Sequence, residues 1–213
     1  MKLYGFWRSG ATYRVRIALA LKGLAYDYAP INLLKGEQGS PDYLKASPQG
    51  LVPALITDEG PVLTQSLAII AYLEEKAPMP SLLPGDPISR AKARAIAFAI
   101  ACEAQPFQNS RTQKYLREDA HFDDAAMKRW LDFTVGRALR AVEIMVADAG
   151  GKFCVGDAPT IADICLVPQV YAALRFGVDL SALPRVNEIH ERCNALDAFK
   201  KAHPDNQPDA PKG

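Results

Sequence analysis

The chain has 213 residues, of which 49% are apolar and 23% charged, and its 25 Lys plus Arg against 24 Asp plus Glu leave a net charge of +1. That is the profile of a globular protein long enough to bury a sizeable core, and it lacks the basic footprint that nucleic acid as a main partner requires. No apolar run approaches the ~20 residues of a membrane span, and the amino terminus has no leader pattern, so a cytoplasmic address is expected.

Leu3-Tyr4-Gly5-Phe6 reads as a buried strand. Thr12 to Leu21 reads as a helix with a wide apolar face through Val15, Ile17, Ala18 and Leu19, and Gly23 stops it. Tyr26 to Ile31 alternates like a second strand. Ser40-Pro41-Asp42 is a cap followed by a first-turn proline, the start of a short helix. Val52-Pro53-Ala54-Leu55-Ile56 and Val62-Leu63 make two more strands around the turn Asp58-Glu59-Gly60. Ser66 then precedes, as a cap, the periodic run Leu67, Ile70, Ala71, Leu73. The order is β-α-β-α-β-β-α.

Pro78, Pro80, Pro84, Gly85 and Pro87 interrupt any regular element, which predicts a linker. Beyond it the pattern is helical. One run extends from Arg90 to about Arg117 with a kink at Pro106. A second starts at Asp123-Asp124 and ends at Gly150-Gly151. A third begins at Thr160-Ile161-Ala162-Asp163, where Thr160 and Asp163 fit a capping box. Asp163 is therefore read as a helix-initiating residue. The segment from His203 onward, rich in Pro and Asp, is expected to fray. Cys102, Cys154, Cys165 and Cys193 contain no C-x-x-C, so neither a zinc ribbon nor a dithiol centre is available, and no metal is expected.

A β-α-β-α-β-β-α unit with proline opening its third strand is the thioredoxin arrangement. The loop between the first strand and first helix is where that fold stabilises a thiolate, through free N–H groups and the helix dipole. Here the loop reads Trp7-Arg8-Ser9-Gly10-Ala11-Thr12 and holds no cysteine, which excludes a dithiol oxidoreductase. Ser9 can donate to a sulfur that arrives with a ligand. Val52, extended because proline follows it, could pair with a peptide-like ligand. Gln65-Ser66 opens a helix, where carboxylates bind.

Together with Arg14-Val15-Arg16-Ile17-Ala18-Leu19, Gln65-Ser66-Leu67-Ala68-Ile69-Ile70, Gln105-Pro106-Phe107-Gln108-Asn109 and Leu166-Val167-Pro168-Gln169-Val170 leading to Arg175-Phe176, these features resemble the zeta class of the glutathione transferases over nearly the whole chain. Gly10 and Ala11 stand where that class usually has Ser and Cys. The resemblance implies a thioredoxin-like glutathione-binding domain at 1–78, a linker at 79–88 and an all-helical substrate-binding domain at 89–213. It implies a homodimer, a cis Pro53, and glutathione-dependent cis-to-trans isomerisation of maleylacetoacetate or maleylpyruvate. Glutathione is expected to meet Ser9 at its sulfur, the Val52 backbone, Gln65 and Ser66 at its γ-glutamyl end, Gln38 at its glycyl end, and Gln105. The dianionic substrate calls for guanidinium clamps. Arg8 and Arg175 are the first candidates, with Arg111 and Asn109 beside them. Arg14 and Arg16 are read as structural. Two other readings are a general glutathione transferase with an apolar acceptor site and a non-catalytic binding protein on the same fold.

The energetics suffice. A free thiol has a pKa of about 8.5, and lowering it by roughly two units takes ~2.7 kcal/mol. A hydroxyl donating to charged sulfur contributes ~1.5–3 kcal/mol, and a helix N-terminus ~0.3–2 kcal/mol.

Overall fold

The computed structural model describes residues 1–211. The chain forms two compact units, one made of Met1–Ser81 together with the residues from Leu196 onward, the other of Leu82–Ala195. The residues from Leu196 onward, expected in the helical domain, thus belong with the first unit.

The first unit is built on a four-stranded mixed sheet of β1 (Lys2–Gly5), β2 (Asp27–Pro30), β3 (Ala54–Ile56) and β4 (Val62–Thr64), in the order β2-β1-β3-β4. β1 runs parallel to β2, as the intervening helix α1 (Gly10–Leu21) requires, and antiparallel to β3; β3 and β4 form the hairpin. This is the thioredoxin-like order read from the sequence. Leu3 and Leu55 pair across the sheet and are fully buried, as are Val15, Ile17, Ala18 and Leu19 of α1. α2 (Pro41–Ala46) carries the Ser40 cap with proline in its first turn, and α3 (Ser66–Lys76) follows β4. Residues 77–86 are in neither helix nor strand.

Gly5 closes β1 because nothing larger fits. A Cβ there would lie 2.3 Å from Thr12 Cγ2 and 3.0 Å from the Tyr28 ring. Thr12 is fully buried, with its Oγ1 facing the Phe6 N–H at 3.5 Å, so it cannot simply turn aside. Gly5→Ala is expected to destabilise the protein by about 1–3 kcal/mol through overpacking, read as a lower midpoint in urea unfolding.

The second unit is helical. The run expected as one kinked helix is three: α4 (Pro87–Glu103), α5 (Gln105–Gln108) and α6 (Ser110–Glu118). Pro106 lacks the N–H that would continue the ladder, and Asn109 then recaps the chain by accepting from the Thr112 N–H at 2.9 Å. α7 (Asp124–Leu131), capped by Asp123, passes through a π-helical stretch, Asp132–Gly136, into α8 (Arg137–Ala149). α9 (Ile161–Arg175) is buried along most of its length and packs on α4. The Leu82 carbonyl accepts from the Ile161 N–H at 2.9 Å, and Thr160 and Asp163 complete the capping box. α10 (Pro184–Asn194) ends the unit.

The chain then returns to the first unit. α11 (Asp197–Ala202) packs on α1 with Phe199 fully buried, and a 3-10 turn follows at Pro204–Asn206. The expected fraying does not occur as far as residue 211, because Asp209 is anchored by hydrogen bonds to Trp7 and Tyr28. Lys212 and Gly213 lie outside the described residues. No helix among the described residues is long and apolar enough to cross a membrane.

Candidate active site

Ser9 is the N-cap of α1. Its backbone is extended, its N–H donates to the Phe6 carbonyl at 3.0 Å, and its Oγ accepts from the Thr12 N–H at 3.3 Å. A hydroxyl that accepts in this way keeps its proton for another acceptor. Helix geometry leaves the N–H groups of Gly10 and Ala11 without intrahelical partners, and the helix dipole favours negative charge at this end. Ser9 therefore sits where an anion is stabilised by a hydroxyl and a helix terminus together. The Arg8 guanidinium lies over the rings of Trp7 and Phe6, at 5.5 and 5.8 Å from their centroids, a cation–π arrangement.

The loop bearing these two residues is fastened through Trp7. The Trp7 N–H donates to Asp209 Oδ2 at 2.9 Å, and the Trp7 carbonyl accepts from Arg16 Nη2 at 2.8 Å. Arg16 also donates from Nε to the Ala202 carbonyl at 3.0 Å. Only 1% of Arg16 is exposed, and burial pulls its pKa below the ordinary arginine value, against the opposing fields of Tyr28, Tyr26, Tyr13 and Asp209. Tyr28, whose hydroxyl donates to Asp209 Oδ2 at 3.3 Å, has its pKa pushed up, mainly by burial.

Val52 packs in one apolar cluster with Phe6, Tyr43 and Ala54, against which Trp7 and Leu33 also lie. Its backbone falls beyond the last ladder pair, Tyr4 with Ala54, so the sheet does not use it. The preceding Leu51 carbonyl is held by the hydroxyls of Tyr43 at 2.7 Å and Ser47 at 2.8 Å. Burial pushes the Tyr43 pKa up to about 12. The Val52–Pro53 peptide is cis. Gln38 approaches the same segment: a Cβ on Gly50 would lie 3.1 Å from the Gln38 carbonyl oxygen, and Gly50 has a φ of +61°. The buried Gln38 Oε1 accepts no hydrogen bond among the described residues, and an orphaned acceptor of this kind calls for a donor from elsewhere.

At α3 the sequence reading needs correcting. Ser66 is the first helical residue and not the cap. The cap position falls on Gln65, whose φ of +67° turns the chain into the helix one residue earlier than local pattern suggests. Such a conformation is costly for a non-glycine residue and tends to occur where function demands it. Gln65 makes no side-chain cap bond; its Nε2 donates to Gln49 Oε1. Ser66 Oγ accepts from Nη1 of Arg14 at 3.4 Å, and Arg14 is 2% exposed. Ser9, Arg8, Gln38, Val52, Pro53, Gln65 and Ser66 all belong to the first unit.

Gln105, Asn109, Arg111 and Arg175 belong to the second. Gln105 opens α5. Asn109 Oδ1 is engaged in capping α6. Arg111 is exposed in the first turn of α6. Gln108 and Gln169 exchange two amide hydrogen bonds, at 3.0 and 3.1 Å, and so tie the end of α5 to α9. Arg175 ends α9, roughly 9 Å along the axis from Gln169, with its guanidinium 4.1 Å from the centroid of the Phe176 ring.

Arg14, Arg16 and Asp209 support this site and were not singled out for it by the sequence. The signal for the first two is two arginines at alternate positions inside an apolar helix, among Val15, Ile17 and Leu19; a buried cation must be spent on something. Asp209 carries no local signal. Among the described residues, no group of three or more His, Cys, Asp or Glu is placed to hold a metal ion.

Comparison with known proteins adds to this geometry. Residues 3–81 match the family described as "Glutathione S-transferase, N-terminal domain", and residues 104–202 its C-terminal domain counterpart. A maleylacetoacetate isomerase of Pseudomonas aeruginosa is 49% identical, over 99% of this chain and 99% of its own. A maleylpyruvate isomerase of Ralstonia is 44% identical, over 99% of this chain and all of its own. A crystal structure of the maleylacetoacetate isomerase from Methylobacterium extorquens AM1, with bound malonate and glutathione, superimposes with a TM-score of 0.95 at 43% identity, covering all of both chains.

Proposed function

This chain belongs to the glutathione S-transferase family, and from that premise we propose that it is a glutathione-dependent cis–trans isomerase of a maleyl keto acid, maleylacetoacetate or maleylpyruvate. The observation that carries the reading is the Ser9 hydroxyl, capping α1 with its proton still to give, in a chain close to half identical to such isomerases from end to end.

The residues present fit glutathione. Gln38 offers a buried acceptor in want of a donor, Val52 a backbone outside the sheet ladder, and Ser66 a hydroxyl backed by a buried guanidinium. On this reading Ser9 donates to the sulfur, Val52 meets the cysteinyl part, Gln65 and Ser66 the γ-glutamyl end, Gln38 the glycyl end, and Gln105 completes the set. When bound, glutathione would supply a thiolate able to add reversibly to the conjugated double bond and to leave again as thiolate, so that the single bond between can rotate. The chain does the rest. Ser9 and the open N–H groups of Gly10 and Ala11 hold the sulfur ionised. Gly10 has no side chain and the Ala11 methyl takes no part, but the backbone of both remains. Arg8 and Arg175 bind the substrate carboxylates, with Arg111 and the Asn109 amide as further contacts.

The test follows the ultraviolet spectra of maleylpyruvate and maleylacetoacetate with purified protein. Conversion of one of them to its fumaryl isomer, only when glutathione is present, is the expected result. Failure on both, with conjugation of an uncharged aromatic electrophile instead, would make the protein a general transferase. The reading also takes the protein as a homodimer acting in the cytoplasm, which sedimentation and cell fractionation test.

A further inference from the structure

A residue beyond α11, Asp209, and one from the middle of α1, Arg16, both direct charged groups at the backbone of a single residue in the loop that carries Ser9. Trp7 stands between the end of β1 and the start of α1, where the backbone of neither element supplies partners for its N–H and carbonyl. The N–H goes to Asp209, from the far end of the chain, and the carbonyl to Arg16, which reaches back from the middle of α1. Arg16 is itself fixed by the Ala202 carbonyl, and Asp209 by the Tyr28 hydroxyl. Closing a surface loop needs no such construction, since water satisfies exposed backbone groups. Burying a guanidinium to within 1% of full coverage is costly; Nε and Nη2 are engaged on two carbonyls while Nη1 has no hydrogen-bond partner among the described residues, and a lysine could not span two carbonyls in this fixed fork. With both polar groups of the Trp7 backbone held, the two residues that follow, Arg8 and Ser9, have little freedom left.

We propose that Arg16 and Asp209 are positioning residues of the active site: through the Trp7 backbone they set the direction of the Ser9 hydroxyl, so that the carboxyl-terminal strap is part of the thiolate-stabilising machinery. The proposal rests on the reading of Ser9 given above. Neither side chain touches the reacting atoms. Asp209 does not act by its charge either, since a carboxylate near the sulfur opposes ionisation. Its contribution is the acceptor oxygen.

The experiment compares wild type with Asp209→Ala and Asp209→Asn, using Arg16→Lys as a second route to the same contact. In the protein without ligand, hydrogen exchange of the Trp7 amide is expected to speed up in Asp209→Ala. With glutathione bound, the pKa of its thiol, read from thiolate absorbance, is expected to rise toward the free value. kcat for the keto acid falls about tenfold to a hundredfold, as misplacement by a fraction of an ångström to an ångström predicts, while its KM changes little. Asp209→Asn keeps an acceptor oxygen and restores most of all three quantities. Arg16→Lys, where it folds, follows Asp209→Ala.

Three results overturn the proposal: Asp209→Ala with wild-type kcat and thiol pKa; a loss of activity that tracks thermal unfolding with thiol pKa and Trp7 exchange unmoved; or a folded Asp209→Asn as impaired as Asp209→Ala. If wild type itself neither isomerises a maleyl keto acid nor lowers the pKa of bound glutathione, the reading of Ser9 fails first and the strap's role with it. A normal wild type beside a normal Asp209→Ala sinks the strap alone.

Discussion

Replacing Ser9 with alanine is expected to lower kcat/KM for the keto acid about tenfold to a hundredfold and to raise the pKa of bound glutathione by roughly 1–2 units, because a hydrogen bond to a charged sulfur contributes ~1.5–3 kcal/mol. The same substitution removes the α1 cap and costs about 1 kcal/mol of stability, so activity alone is an ambiguous readout. Ser9→Asp separates the two effects. Aspartate caps a helix as well as serine, accepting from the Thr12 N–H that Ser9 Oγ now holds, but it sets a negative charge beside the sulfur and has no proton to donate at neutral pH. A protein of wild-type melting temperature with activity at or below that of Ser9→Ala is the expected result. Full activity in either variant would remove Ser9 from the mechanism and leave the helix terminus to stabilise the thiolate unaided.

The second large effect is on stability. Asp163→Ala is expected to destabilise the protein by about 3–5 kcal/mol, lowering its melting temperature by roughly 10 °C. Asp163 is completely buried, and its two carboxylate oxygens accept from the Cys154 N–H at 2.9 Å, the Thr160 N–H at 2.8 Å and the Thr160 hydroxyl at 2.9 Å. Alanine leaves these buried donors with no acceptor and the α9 cap half made. Burial pushes the carboxyl pKa above the ordinary value while these donors pull it down, so the group has no slack: the network that makes its charge tolerable is also what alanine breaks. Asp163→Asn keeps one acceptor oxygen but sets its amide N–H against a donor on the other side, and is expected to cost about half as much. Calorimetry on both variants checks the order. A melting temperature within a few degrees of wild type for Asp163→Ala would show that the 150s loop relaxes to satisfy itself.

The contrast between these residues shows what a sequence makes legible. Thr160 and Asp163 are three positions apart, and a capping box is a local pattern, so four residues suffice to read it. The strand and helix order of the first unit is equally plain, because the burial of Leu3, Leu55 and the α1 face follows the periodicity of the chain. Ser9 stood out because topology assigns chemistry to the turn it occupies. Other features depend on events that leave no local trace. The positive φ of Gln65 moved a cap by one residue, and nothing in Gln65-Ser66-Leu67 announces it. Asn109 is an N-cap only because α5 has already ended, and the π-helical turn at Asp132–Gly136 lies within an unbroken helical pattern. The anchoring of Asp209 is the extreme case. It joins residues 202 positions apart, and a Pro- and Asp-rich segment reads as loose until the partner waiting for it is seen.

That return of the chain also bears on how the protein is made. The helical unit, Leu82–Ala195, is inserted into the sheet unit, which is complete only once the residues beyond Leu196 have been added. On a ribosome the strands and α1 emerge early, yet the Ala202 contact of Arg16 and the cover that α11 gives to one face of α1 are missing while the whole intervening unit is synthesised. The inserted unit is continuous and can fold as it emerges; the older one must wait. The part of the molecule that handles glutathione is thus the first to be translated and the last to be finished, and a message cut short near its end would yield an intact helical unit attached to an active loop still missing its anchor.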